Sequence, residues 1–471
     1  MQPLVTTPIL APRPATTRDE LRALVLLAGP LVAANLLQMA VYAVDVVFVA
    51  QLGTVEFAAA TLGVFLFRLF MWAMIGLTGA CAPLIAAELG ARAHAVRQVR
   101  RSFRMAMWLG ALVSGPVMLL LAHGETILRY AGQDPAVAAR TGVFLDILLW
   151  CMFPGVAAGI MRTAAAALGR QGWAIPITAG AVAVGVLTNW LFIFGHGGFP
   201  AMGLAGSALA SVVTSCAMAL AWVAVLILDP KLRRYRLFGR WWRSEWSRLW
   251  EIVKLGVPIA LTMTFEGALF GGAAFLMGLI GVNEVAAHAV ALNIAAVAFQ
   301  IPFGVAQAAT IRVGMGYGAA DHGWIARAGA VALAVGVGSM AVTALLIWLF
   351  PRAFVGLYLD LRDPANAAVV PLAVQYLFVA AIFQLADGAQ AVAAGILRGL
   401  QDTRVPMLIA LGGYWVAGFG TAILLGFSLR WEGVGIWVGL AVGLLVVSAL
   451  LLWRWRARGR LGLLPAEPSR A

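Results

Sequence analysis

Leu27-Ala-Gly-Pro30 opens an apolar run that ends in Gly53-Thr-Val-Glu56-Phe-Ala58-Ala59. At an offset of 228, Leu255-Gly-Val-Pro258 opens a second run that ends in Gly281-Val-Asn-Glu284-Val-Ala286-Ala287. Within that alignment Gln38 falls opposite Glu266, so an amide in one copy is an acid in the other. The correspondence runs on. Gly90 matches Gly318, Asp134-Pro135 matches Asp363-Pro364, and Gly169, Gln171, Pro176 and Gly203 match Gly399, Gln401, Pro406 and Gly433, at offsets of 228 to 230. A near-constant offset over most of a chain is the signature of an internal repeat.

Composition says what is repeated. The 471 residues are 62% hydrophobic and 11% charged, which places the chain among polytopic membrane proteins. Twelve apolar spans are expected, at 24–51, 57–88, 105–122, 137–161, 174–194, 203–228, 252–281, 284–311, 328–350, 366–397, 405–428 and 433–453. The short alternating segments of a membrane β-barrel are missing, so the fold is expected to be all-α. Six spans per copy is an even number, so the copies should cross in the same direction, as parallel repeats about an axis along the membrane normal. The expected organisation is an N-terminal tail over 1–23, a first lobe over 24–228, an amphipathic linker over 229–251, a second lobe over 252–453 and a C-terminal tail over 454–471.

The net charge of +13 invites a nucleic-acid reading, which the distribution of the cations removes. The termini and the even-numbered loops, with their borders, hold 27 of the 33 Lys and Arg, which is the positive-inside asymmetry. It predicts both termini in the cytoplasm. In the linker, Trp242, Trp246 and Trp250 recur at every fourth residue among arginines, which predicts an interfacial helix with its indoles at headgroup depth. No cleavable signal is expected, since the first span is too long for a signal-peptide core. Cys81, Cys151 and Cys216 all lie in spans and read as apolar packing residues.

The intramembrane charges carry the functional reading. A charge at mid-bilayer costs about 2.5–3.5 kcal/mol on insertion scales, so it is expected to face protein or water. Glu266 lies about halfway along span seven and Asp387 about halfway along span ten, and two acids at similar depth favour the capture of a proton or metal cation. Asp45, nearer the outer end of span one, reads equally as a second ion site or a mouth-lining residue. Arg68 reads as a snorkelling cation or an acid's partner. His288 and Asn293 read as interhelical hydrogen-bonding residues rather than metal ligands. No P-loop follows a strand and no long soluble stretch is present, so an ion gradient is the expected energy source. Neither a catalytic cluster nor a re-entrant filter is visible, which disfavours an enzyme or a channel.

At these residues the chain resembles the multidrug and toxic compound extrusion family, in its NorM-like branch. The resemblance rests on Phe265-Glu266, Ala286-Ala287-His288, Ile311-Arg312-Val313-Gly314, Gln384-Leu-Ala-Asp387, Ala393-Ala-Gly395, Leu397-Arg398-Gly399 and Asn189-Trp190. It implies twelve helices in two six-helix lobes, and export of organic cations in exchange for sodium or protons, with no other cofactor. By the same resemblance Glu266 and Asp387 form the cation site of the second lobe, and Asp45 is the acidic position of the first. Gln38, Asn189, His288, Asn293, Phe299, Phe383 and Gln384 are then expected to line the cavity. Phe383 departs from the branch, which often has tyrosine there; losing that phenol weighs against sodium and leaves protons. A lipid-linked oligosaccharide flippase of related fold is the alternative, although its cavity is strongly basic where the central charges here are mostly acidic. The chain is expected to work as a monomer in a bacterial cytoplasmic membrane, meeting lipid and small organic cations and no nucleic acid.

Overall fold

In a computed structural model, which describes residues 16–92 and 95–466, twelve helices are long and apolar enough to cross a membrane. They are α1 Thr17–Leu52, α2 Thr54–Ala91, α3 Val96–Ala122, α4 Pro135–Ala167, α5 Gln171–Phe194, α6 Gly203–Leu228, α7 Trp246–Ile280, α8 Val282–Gly318, α9 His322–Leu349, α10 Val369–Gly399, α11 Arg404–Ser428 and α12 Glu432–Arg456. No strand occurs among the described residues. Most of the expected N-terminal tail, and residues 467–471 of the C-terminal one, lie outside the described residues.

Several helices outrun their apolar stretch. The 35 residues of α7 extend roughly 52 Å at 1.5 Å per residue, against about 30 Å of hydrocarbon. Cations that the sequence assigned to loops, Arg162 and Arg398 among them, therefore stand inside helices, these two in α4 and α10. Local chemistry shapes the helices. α4 tightens into a 3₁₀ turn over Leu149–Cys151, just before Pro154, which lacks the N–H that an α-helix needs. α11 widens into π-helix over Gly412–Phe419 and again over Leu424–Ser428.

The described chain divides into two compact units. One holds residues 33–260, and the other holds residues 16–32 together with 261–466. The division thus falls inside α1 and α7 and not in the 229–251 joint. Pro30 and Pro258, the repeat mates of the opening motif, each stand two residues before the chain passes from one unit to the other. In the first unit α5 packs on α6, and α2 and α4 on each other. In the second, α10 is the central helix, against α8, α9 and α12, with 21 buried residues.

Small residues make that packing possible. A Cβ at Gly395 of α10 would stand 2.5 Å from the Ala306 carbonyl oxygen of α8, and Thr310 Oγ1 donates to the Gly395 carbonyl at 2.8 Å. Close backbone approach through small residues is how membrane helices gain van der Waals contact.

The joint after α6 corrects the expected interfacial helix. Pro230–Arg233 forms one short helix, Trp242 sits in a turn, and only Trp246 and Trp250 are helical, as the first turns of α7. Helical spacing does not decide here, because α3 supplies the hydrogen bonds that a helix would have made. Arg100 Nε donates to the Tyr235 carbonyl at 3.2 Å, Arg104 Nη1 to the Arg240 carbonyl at 3.0 Å and Trp108 Nε1 to the Trp241 carbonyl at 3.3 Å.

Candidate functional site

The second unit carries the acid pair. Glu266 is half-buried on α7, and Asp387 is 4% exposed on α10. Three residues after Asp387, on the same helical face, Gln390 donates from Nε2 to Glu266 Oε1 at 3.2 Å. Tyr414 donates its hydroxyl to Gln390 Oε1 at 2.9 Å. The phenol therefore fixes which way the amide points, and the amide presents its donor to the carboxylate. Tyr414 lies in the first π-helical stretch of α11 and is fully buried.

Glu266 and Asp387 stand on α7 and α10 of the same unit, and Arg398 lies at the end of α10. Asp387 Oδ1 is buried without a hydrogen-bond partner. A buried carboxylate oxygen left open, beside a second acid and a neutral amide, is a donor set suited to a proton or a small hard cation. Among the described residues no group of three or more His, Cys, Asp or Glu is arranged to hold a metal. Any metal cation would therefore lean on oxygens from Gln390 or water as well as the two acids.

A second cluster in this unit brings two of the expected cavity residues, His288 and Phe383, against Trp437 of α12. The Phe383 ring meets the Trp437 indole edge-on at 5.7 Å, and the His288 ring lies 5.4 Å from it. His288 is 2% exposed with neither ring nitrogen hydrogen-bonded, and Trp437 Nε1 is likewise unpaired. Gln384 is fully buried, accepting from Thr343 Oγ1 at 3.2 Å with its own Nε2 unpaired. Phe299 stacks on Phe303 at 5.8 Å. Asn293 is exposed and bonded to its own helix through Ala289 O at 2.8 Å, so it makes no interhelical hydrogen bond.

In the first unit Asp45 is half-buried, and both its oxygens are used. Oδ1 accepts from Asn189 Nδ2 at 2.7 Å and Oδ2 from Ser211 Oγ at 3.0 Å. Asn189 is fully buried and also donates to the Gly185 carbonyl, which locks its orientation. Gln38 is half-buried in the same unit. Arg68 lies over the Tyr42 ring, 4.9 Å from its centroid, and not against an acid. Arg162 donates to Asn35 Oδ1 at 3.3 Å.

Sequence reasoning missed Gln390, Tyr414, Arg398, Ser211 and Trp437. Gln390 alone had a legible signal, its i+3 spacing from Asp387. Arg398 shares α10 with Asp387, and Tyr414, Ser211 and Trp437 are brought in by helices distant in the chain.

Known proteins resemble this chain over nearly its whole length. The MatE family model matches residues 30–191 and 258–424, once in each repeat. A protein named probable multidrug resistance protein NorM, from Mesorhizobium japonicum, is 47% identical over 94% of this chain and 95% of its own length. The multidrug resistance protein NorM of Burkholderia vietnamiensis is 37% identical over 92% and 93%. Among solved structures, the eukaryotic MATE transporter AtDTX14 superposes with a TM-score of 0.83 at 21% identity, covering 95% of this chain and all of that one. An outward-facing multidrug resistance MATE family transporter of the MOP superfamily gives 0.81 at 18% identity, covering 94% and 96%. Twelve helices, a duplicated model match and relatives alike over nearly their whole length lead to one conclusion: the chain belongs to the MatE family, the multidrug and toxic compound extrusion family whose motifs its sequence carries.

Proposed function

We propose that this protein is a cation-coupled antiporter that exports organic cations, drugs among them, by alternating access. It works as a monomer in a bacterial cytoplasmic membrane, with both termini in the cytoplasm and a proton or sodium ion as its only cofactor. The observation that carries the reading is the two acids Glu266 and Asp387 in one unit of a MatE chain, with Gln390 bonded to Glu266 and itself oriented by Tyr414. The names of the relatives, multidrug resistance proteins, support the substrate class.

The cycle follows from charge balance. An incoming cation neutralises the Glu266–Asp387 pair, which loosens the hold on a cationic, apolar drug and releases it outside. One charge moving down about 150 mV yields roughly 3.5 kcal/mol, enough for a gradient of a few hundredfold. Aromatic side chains such as Phe299 and Phe383 hold such substrates loosely through ring faces and edges. Asp45, held by Asn189 and Ser211, is the acid of the first unit that answers the same cation or substrate.

The test is transport in proteoliposomes with sodium and proton gradients imposed separately. Glu266→Gln and Asp387→Asn should each abolish gradient-driven efflux of a cationic dye while leaving the protein folded. Undiminished efflux in either variant overturns the assignment.

A further inference from the structure

The first unit carries a block of positive charge that its own acids do not balance. Between Pro230 and Ser244 there are six basic residues and no acidic one. Lys231, Arg233, Arg234, Arg236, Arg240 and Arg243 are all exposed, and none forms an ion pair among the described residues. The flanking acids are already taken. Asp229 is bound by Arg170, Glu245 by Arg101 and Arg104, and Glu88 and Glu251 by Arg248. Among the described residues no acid supplies the counter-charge for these six cations.

The block is also held in shape. The carbonyls of Tyr235, Arg240 and Trp241 are tied down by α3, and Arg236 and Arg240 sit in the left-handed backbone region at φ +44° and +56°. Arginine adopts that region at a cost, so it persists where surrounding contacts over-determine the backbone. Phe238 packs edge-on against Phe103 of α3 at 5.7 Å and against Trp241 at 6.1 Å, closing the loop onto the helix. This is an arrayed set of cations and not a floppy basic tail.

Its depth is marked by tryptophan. Trp242, Trp246 and Trp250 are 81%, 61% and 57% exposed, far more than indoles are in a protein interior. Lys254 reaches over the Trp250 ring at 5.8 Å. Exposed indoles beside cations, at the end of a helix longer than the hydrocarbon is thick, belong at the level of lipid headgroups.

We infer that the Lys231–Lys254 segment is a binding site for anionic phospholipid headgroups, with the arginines on the phosphates and the indoles at the glycerol level. Four to eight basic residues immediately beside a membrane helix suffice for such recognition. The site is independent of the transport reading and stands whether or not that reading does.

The experiment uses the full chain in lipid nanodiscs, with native mass spectrometry counting retained phosphatidylglycerol against phosphatidylcholine. The wild type should retain phosphatidylglycerol at least tenfold in preference, and that preference should fall steeply between about 50 and 500 mM salt. Replacing Arg233, Arg234, Arg240 and Arg243 together by Gln should remove the preference, and replacing the same four by Lys should keep most of it. Arg456→Gln with Arg460→Gln, at an exposed site elsewhere, should leave it intact. An unchanged preference in the four-Gln variant overturns the site. So does a wild-type preference that ignores salt, a readout that does not depend on any variant folding. Equal displacement by inorganic phosphate overturns it too, in favour of a simple anion site.

Discussion

Glu20 and Arg312 form a buried two-point ion pair, Nε to Oε1 at 2.8 Å and Nη2 to Oε2 at 2.6 Å, with side chains 0% and 3% exposed. The Trp324 ring lies under the guanidinium at 5.1 Å. Arg248 stands 228 residues after Glu20, at the matching point of the repeat, and binds Glu88 at 3.2 Å and Ser102 at 2.8 Å. The first turns of α1 and α7 are thus each anchored within their unit by an ion pair, with the charges exchanged between acid and base.

Breaking the buried pair by Arg312→Ala leaves Glu20 without a partner, and should cost about 3–5 kcal/mol. Glu20→Arg combined with Arg312→Glu, which copies the polarity of the other unit, should recover a substantial part. Thermal unfolding in detergent of the singles and the double checks this. A double variant no more stable than the worse single would refute the pairing.

Tyr414→Phe removes the donor that orients Gln390 while keeping the ring. One neutral hydrogen bond is worth about 0.5–1.5 kcal/mol, so the apparent affinity for the coupling cation should fall roughly two- to tenfold with the fold intact. Transport rate measured against cation concentration reads the shift directly.

Gly395→Ala drives a Cβ to 2.5 Å from the Ala306 carbonyl, a backbone atom that cannot swing aside. Overpacking of this kind should cost about 1–3 kcal/mol. Gly29→Ala, in the helical interior of α1 with nothing within 4 Å of its new methyl, should instead gain about 0.5–1 kcal/mol. Opposite shifts in melting temperature are the expected result.

Asp229, outside the spans, titrates below the ordinary carboxylate range. Burial pushes its carboxyl up, but hydrogen bonds from Arg170, Trp173 and the Lys231 N–H, with the Arg170 charge, outweigh it. A group with a lowered folded value stabilises fully above the ordinary carboxylate range, and that support is lost as pH falls through the folded value. Protection factors over 230–245, taken relative to the intrinsic exchange rate at each pH, should therefore be high near neutrality and fall below about pH 4. In Asp229→Asn the protection should be lower at neutral pH and change much less on acidification.

Much of this was legible because the membrane imposes simple rules. Apolar length gave the twelve spans and the near-constant offset gave the repeat, whereas the change of unit inside α1 and α7 was not read from the Pro30 and Pro258 motifs. The misread joint owes its shape to partners far away in sequence. Trp242 has helical spacing, yet its segment is bonded by Arg100, Arg104 and Trp108 of α3. Arg398 looked like a loop cation because an arginine at the end of an apolar run usually is one. Glu266 and Asp387 were visible as acids in a hydrocarbon setting, whereas the Tyr414–Gln390 link needed α10 and α11 to be folded against each other.

Synthesis order gives the divided first helix a temporal meaning. Glu20 emerges from the ribosome 292 residues ahead of Arg312. At roughly 5–20 residues per second, that is about 15–60 s in which its carboxylate has no permanent mate. The nascent chain must shelter that acid in water or in the translocation machinery until α8 arrives, so the opening segment of the protein is among the last to find its resting place.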